Sequence, residues 1–586
     1  MFNFSSGLLA GQHDNQKERA PPSRPTPVTF PSLVPPEPSL LSPPPSWTEA
    51  PSGISAPFLN LRKPSDVTVD TLALLNVSFQ PQCDFETLLS SVSNTAESHL
   101  PPKSWLDPPE QKEPSPSVPG VQLLSSGRRV PDRNEFYVRA KELFFKNEDA
   151  FSNLTRKANG ERVPLRLAHF RKFWEGLDNL AYYWDDSLDE YLPPKPAAEV
   201  EADNGAELTS KPHLGSPQNE EPRKKAKIEA SGNETVTEPA RTPASPISSS
   251  MAIPSRPVPP KLPWAMNMTP QSSIPVDLSK GAYKGYRIGN GAEMPDQYRL
   301  DCVRAFLDPI AWAFGVTLMP HRRPPVLIME HVRFPVRMST VAWRGPQDRM
   351  KARQGWVEGP VMGIQCRQDT NFGSTGDLQA ESVLDAIREL GGMLLVAQER
   401  AREGKTEQKC GEGKWWTSKH RWGGGPGGEV GEANGASDET STPKIEEKAA
   451  VRNRLGAKER RRPTPAENWK VIRAGNPLWD PKVVYEAIGK DQSVEWDDIF
   501  MVSSLNHHIS VLKLRVHPLY IGYITDGTLP KDTPSDPNWC SPQLQRTRWF
   551  DLFDVEDRKE AMRGIWGLMS YLLRGREKAD IAMQDA

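Results

Sequence analysis

Two sets of residues in this chain have the types and spacing to do chemistry. The first is arginine and lysine interleaved with tryptophan. Between Arg333 and Arg353 stand Arg333, Arg337, Arg344, Arg349, Lys351 and Arg353 against one acid, Asp348, with Trp343 inside the run and Trp356 just beyond it. A glycine-rich stretch further on repeats the pairing in Trp415, Trp416, Lys419, Arg421 and Trp422. Cations for phosphates and flat rings for bases are the chemistry of a nucleic-acid surface, DNA or RNA. The same composition also fits tryptophans buried in a core with arginines stacked over them. The second set is histidine near carboxylate: His507, His508 and His517, with Asp497 and Asp498. Side chains alternate along a strand, so His507 and His508 share a site only if a turn or bulge intervenes. They read as hairpin histidines, and no catalytic residue, metal or cofactor is expected. The run Gly423–Gly428 is no phosphate loop, because no lysine followed by serine or threonine comes after it.

The net charge is −2, so any attraction to polyanions must be local. Arg223, Lys224, Lys225 and Lys227 place four cations within five positions, in a tract rich in proline, serine and glutamate with no other such cluster. Such an exposed run reads as a nuclear import signal. Ser216-Pro217, Thr242-Pro243 and Ser245-Pro246 flank it, and phosphate there would cancel part of its charge. Arg452, Arg454, Lys458, Arg460, Arg461 and Arg462 form a second basic run: a second signal, a nucleic-acid contact, or a charged hinge. The five cysteines are scattered without a C-x-x-C pair, which argues against a disulfide framework and a zinc finger. No apolar run approaches the ~20 residues of a membrane span, and the first residues lack the basic start of a secretory signal. The expectation is a nuclear protein with no membrane partner and no small-molecule substrate.

These residues need elements to hold them. Fifty-nine prolines are roughly twice the usual ~5% share, and they concentrate in segments that cannot offset the cost of ordering the backbone. Residues 1–128 are read as disordered, apart from an island at 66–92. There Phe85, Leu88 and Leu89 fall on one helical face beside acids: a docking motif for a co-regulator groove, or an apolar patch of the core. Residues 129–192 read as a helical module, its second helix opening at Pro164 and carrying Leu167, Phe170, Trp174, Leu177, Leu180 and Trp184 at helical spacing. Residues 193–280 are a disordered linker with the import signal. Residues 281–431 read as helix, three strands and helix. Residues 432–463 form a basic linker, 464–576 read as three strands and a helix, and 577–586 as a tail. In the second half the strands are expected at 499–505, 509–516 and 519–525. Neither half is complete alone, so the fold class is a mixed α+β core assembled from two sequence halves, plus a small helical module and long disordered proline-rich segments.

Three resemblances bear on function. The helical module loosely resembles a helix-loop-helix, but Arg133–Lys141 has Phe136-Tyr137 where such readers carry paired arginines, which leaves a helical hairpin docking on a partner or on the core. The first half resembles the core of restriction-endonuclease-like nucleases. That resemblance implies an acid, a spacer and a lysine on the third strand; Gln365 and Arg367 stand there instead, which implies a catalytically inactive copy that binds nucleic acid. The stretches Gln545–Asp554, Arg563–Met569, Arg353–Trp356 and Lys414–Trp416 are similar to a family of uncharacterised filamentous-fungal nuclear proteins, and the layout is similar to fungal transcription regulators of conidium development. The expected function is a non-enzymatic nuclear transcription regulator that meets an import receptor, transcription or chromatin proteins, and DNA or RNA. The alternatives are the inactive nuclease-like binder and a scaffold subunit of a nuclear complex.

Overall fold

The structure, a computed structural model, describes residues 22–39, 43–48, 53–61, 66–93, 95–109, 122–154, 166–192, 282–283, 285–319, 325–330, 332–346, 348–367, 378–404, 484–491, 494–532 and 534–575. The strands of the main sheet are β1 (Ser78–Phe79), β2 (Thr317–Met319), β3 (Thr340–Arg344), β4 (Trp356–Arg367), β5 (Val484–Glu486), β6 (Asp497–Leu505), β7 (His508–Val516), β8 (Gln543–Arg546) and β9 (Phe550–Asp551). The main helices around it are α1 (Phe85–Ser90), α2 (Arg133–Ala140), α3 (Arg171–Trp184), α4 (Asp296–Ala313), α5 (Leu378–Arg400), α6 (Pro518–Asp526) and α7 (Val555–Leu572).

The sheet is mixed and runs β1-β8-β7-β6-β4-β3-β2, with β5 beside β4 and β9 beside β7. β2, β3 and β4 are successive antiparallel neighbours. The chain then passes through α5 and returns as β6, parallel to β4. That pairing joins the two sequence halves in one sheet. Alternate residues of β4 face α5: Gly363 lies against Val396, the Gln365 amide donates to the Arg388 carbonyl, and Arg367 meets Asp385 and Glu389. Along this face Met501, Leu512 and Leu514 pack with Leu390, Met393, Leu394 and Tyr520 in one apolar core. α4 also lies against β4, and carries α3 and α7 with it.

Two compact units divide the chain: residues 22–188 with 287–586, and residues 1–21 with 189–286. In the second unit the described residues form a short antiparallel pair, Tyr191–Leu192 with Ala282–Tyr283, and the Tyr283 hydroxyl donates to Asp189.

Several expectations are corrected here. The N-terminal island is part of the core. α1 is capped by Asp84, which accepts from the Thr87 N–H at 2.7 Å, and Phe85, Leu88 and Leu89 are all buried. Phe85 stacks on Phe550 at 5.2 Å and lies where α7 carries Gly564, a position at which any Cβ would sit 2.2 Å from the ring. A face buried this way is not free to dock elsewhere. Residues 22–39 also pack, without helix or strand: Phe30 stacks on Trp549 at 5.3 Å, and the Ser32 N–H donates to Ser382 Oγ at 3.1 Å. The helices α2 and α3 are not part of a separate module, because Phe136 meets Trp566 edge-on at 5.3 Å and α3 packs along α4. α3 begins at Arg171, with residues 166–170 outside it, and the expected start at Pro164 lies outside the described residues. The buried Glu142 accepts from the N–H groups of Ala168 and His169, just ahead of the helix, and from that of its N-cap Phe170, which holds the chain entering the helix. Residues 518–526 are helix where a strand was expected. Pro518 fits the first helical position, His517 accepts from the Leu519 N–H, and Gly527 at φ +72° closes the helix in the left-handed region.

Candidate functional site at the ends of two parallel strands

β4 and β6 run parallel and finish together, with Arg367 in register with Leu505. Ligands of α/β sheets gather at such carboxyl ends. Arg367 is fully buried; its Nη1 lies 2.5 Å from Asp385 Oδ1 and 2.8 Å from Glu389 Oε1. Those two acids are four residues apart on α5 and therefore share a face. The Ser503 hydroxyl donates to Glu389 at 2.7 Å, and Arg546 approaches the same carboxylate at 3.4 Å. Trp549 covers the group, its ring 4.7 Å from the Arg546 guanidinium and 5.8 Å from that of Arg367. Burial pushes the Asp385 carboxyl up to about 7 against the pull of Arg367. Burial acts on Glu389 too, but Arg546, Arg367 and the Ser503 hydroxyl outweigh it and hold that carboxyl below the usual range. The guanidinium thus occupies the space where two carboxylates would otherwise grip a hard cation. Gln365 is held as firmly, its amide donating to the Arg337 carbonyl at 3.0 Å.

The chain turns immediately after β6. Asn506 adopts φ +54°, a left-handed conformation that asparagine tolerates, and its side-chain oxygen accepts from Arg299 Nε at 2.9 Å. The His507 carbonyl accepts from the Leu552 N–H at 3.0 Å, and His508 pairs with Asp551 across the β7–β9 ladder. The tight turn cancels strand alternation, so both imidazoles lie on one side with ring centroids 4.2 Å apart. His507 Nε2 stands 3.7 Å from Asp551 Oδ1, and His508 Nε2 stands 3.8 Å from Asp551 Oδ2. Trp184 and Phe553 wall His507, and Phe30 meets His508 edge-on at 5.0 Å. Burial pushes His507 well below the usual imidazole range and His508 down to about 4; it pushes Asp551 up to about 6. Both imidazoles are therefore neutral at pH 7.

The residues singled out from the sequence are dispersed. His517 and Asp497 lie at the far end of the β6–β7 ladder from His507 and His508, so the grouping by sequence proximity fails; His517 pairs instead with Glu495 at 2.9 Å. Arg344 is buried and ion-paired with Glu358, which removes it from any nucleic-acid surface. Trp343 is buried against Tyr485. Lys351 pairs with Glu486 at 3.1 Å and lies over Trp356. Arg337 is half-buried. Arg349 and Arg353 are exposed on the short helix Arg349–Arg353, at the opposite end of β4 from Arg367. Arg223, Lys224, Lys225 and Lys227, the run Arg452–Arg462, and Trp415, Trp416, Lys419 and Arg421 lie outside the described residues. Asp385, Glu389, Ser503, Arg546, Trp549 and Asp551 were not anticipated. Asp385 and Glu389 carried a usable signal: acids placed within the apolar stripe of a helix must find partners inside the fold.

Comparisons of the chain with protein-family models, with curated proteins and with solved structures find no match. Among the described residues no helix is long and apolar enough to cross a membrane.

Proposed function

We propose that this chain is a non-enzymatic nucleic-acid-binding protein of the nucleus, a transcription regulator built on a nuclease-like frame. One observation carries the reading: Arg367 is locked between Asp385 and Glu389 at the end of the strand where nucleases of that layout hold a metal. The main sheet supports it: α4 is followed by the antiparallel strands β2, β3 and β4, then by α5 and by β6 parallel to β4, with a separate hairpin (Val326–Met329 with Val332–Pro335) and the short helix Arg349–Arg353 inserted before β4 and the short β5 before β6. A buried guanidinium bound by both acids leaves no carboxylate pair for a hard cation and no free lysine for the scissile phosphate. What such a frame retains is surface, and Arg349 and Arg353 are its exposed cations next to β4. The basic run Arg223–Lys227 supports nuclear import.

The test is binding of single- and double-stranded DNA and RNA by fluorescence anisotropy over a salt series, with a cleavage assay in Mg²⁺ and Mn²⁺ alongside. Binding should weaken with salt, and Arg349→Ala with Arg353→Ala should reduce the log–log slope by about 1 for each lost phosphate contact. Cleavage abolished by Glu389→Gln, or a salt-independent affinity, would overturn the reading. A reporter fused to residues 216–232 that stays outside the nucleus would remove the nuclear part.

A further inference from the structure

We infer that His507, His508 and Asp551 form a binding site for one transition-metal dication of the zinc class. The inference stands apart from the nucleic-acid reading, since it concerns other residues and another ligand. Two imidazoles and one carboxylate are a donor set used by zinc and by non-haem iron, whereas magnesium and calcium take oxygen donors. The donor atoms of the three residues already lie within 4.8 Å of one another. An ion about 2 Å from each of three tetrahedrally placed donors would hold them about 3.3 Å apart. The observed 3.7 and 3.8 Å separations to Asp551 need only small ring rotations to reach that.

A second observation points to a ligand. Nδ1 of His507 and Nδ1 of His508 are buried without a hydrogen-bond partner among the described residues. Both Nε2 atoms stand too far from Asp551 for a hydrogen bond. Two buried imidazoles without a good hydrogen bond call for an explanation, and an ion is among the few available. An ion held by the two Nε2 atoms, the nitrogens that face Asp551, would give those unbonded nitrogens a partner and leave the ring proton on each Nδ1.

The surroundings suit the role. The Asp551 carboxylate accepts from the Phe553 N–H at 2.8 Å, and its own backbone N–H donates to Asp557 at 2.8 Å, which orients it from behind. Asp557 is in turn paired with Arg548 at 2.7 Å. Trp184, Phe553 and Phe30 give the rings an apolar wall. The Asp551 side chain remains one-third exposed, which provides an entry path and room for a water as fourth ligand. The bound ion would tie the β6–β7 turn to β9.

The experiment is metal analysis of the full chain after equilibration with Zn²⁺ in the presence of excess Mg²⁺ and gel filtration. Wild type should retain about one more equivalent of zinc than Asp551→Asn and His508→Ala, with far-ultraviolet circular dichroism confirming that the variants are folded. Asp551→Asn keeps the acceptor for Phe553 and so guards against a folding defect in the histidine variant. X-ray absorption at the zinc edge should show nitrogen and oxygen neighbours without sulfur. Equal zinc content in wild type and both folded variants, no zinc in wild type, or sulfur in the first coordination shell would overturn the site.

Discussion

At the scale of single residues, the energetics turn on how buried charges are matched. Arg367 and Arg546 meet the Glu389 carboxylate and the Asp385 carboxyl, which burial raises to about 7, in one small volume, with Ser503 and Trp549 completing it. A buried ion pair adds little net stability, but removing one partner leaves an uncompensated charge. Arg367→Met should therefore lower stability in urea by about 3–5 kcal/mol. Adding Asp385→Asn and Glu389→Gln should recover part of that loss, because the stranded carboxylates are then neutral. A single-variant loss under about 1 kcal/mol would contradict the buried pairing.

Asp498 is a residue-scale case with a pH signature. Burial raises its carboxyl to about 6 against the pull of Lys513 and Arg515, and its Oδ1 has no hydrogen-bond partner among the described residues. A folded-state value above the unfolded one favours the protonated, neutral form in the fold. The contribution is therefore fully present below about pH 4 and is lost as pH rises through about 6. Asp498→Asn should melt higher than wild type at pH 8 and close to wild type at pH 4. A gain that is equal at both pH values would refute this.

At the scale of elements, α1 and α7 fit because one side chain is missing. Gly564 leaves room for the Phe85 ring, which stacks on Phe550 from the other side. Gly564→Ala should cost about 1–3 kcal/mol by overpacking, and Phe85→Ala about 3–5 kcal/mol by emptying the space. Combined, they should cost clearly less than the sum, since the new methyl fills part of the cavity. Chemical denaturation of the four proteins reads this coupling, and strict additivity would show that the two helices do not meet there. α6 illustrates how an element is misassigned from composition. Its run of Leu519, Tyr520, Ile521, Tyr523 and Ile524 has strand-like residue types, but Pro518 and Gly527 bracket it with helix start and stop signals. Local caps outweighed β-propensity, which is weak and depends on context.

At the scale of the whole molecule, sequence position proves a poor guide to membership of the core. Val67, Leu72, Leu75, Val77, Phe85, Leu88 and Leu89 are all buried within a segment preceded by proline-rich chain. Burying each such side chain is worth roughly 1.5–3 kcal/mol, so the set rivals the 5–15 kcal/mol net stability of a typical fold. Deleting 66–92 should abolish cooperative thermal unfolding by circular dichroism. A truncated chain that melts as sharply as the full one would show that the segment is dispensable.

The mixed α+β class, the β6–β7 hairpin, α4, α5 and α7 were legible in the sequence because each is a local pattern: apolar spacing of 3.6 or 2, with a cap or turn at its ends. That Gln365 and Arg367 stand near the end of one strand was legible as well, since it is a question of residue type at a position along that strand. What the sequence by itself could not determine is which distant residues meet. Arg367 finds Asp385 and Glu389 through the packing of β4 on α5, and Arg546 joins them from a strand across β7. His507 and His508 were set apart by strand alternation, and a two-residue turn held by Arg299 puts them together beside Asp551. Side-chain periodicity is written in neighbouring residues, whereas convergence of charges and ligands depends on strand order and on where a turn falls, and only the tertiary structure decides those.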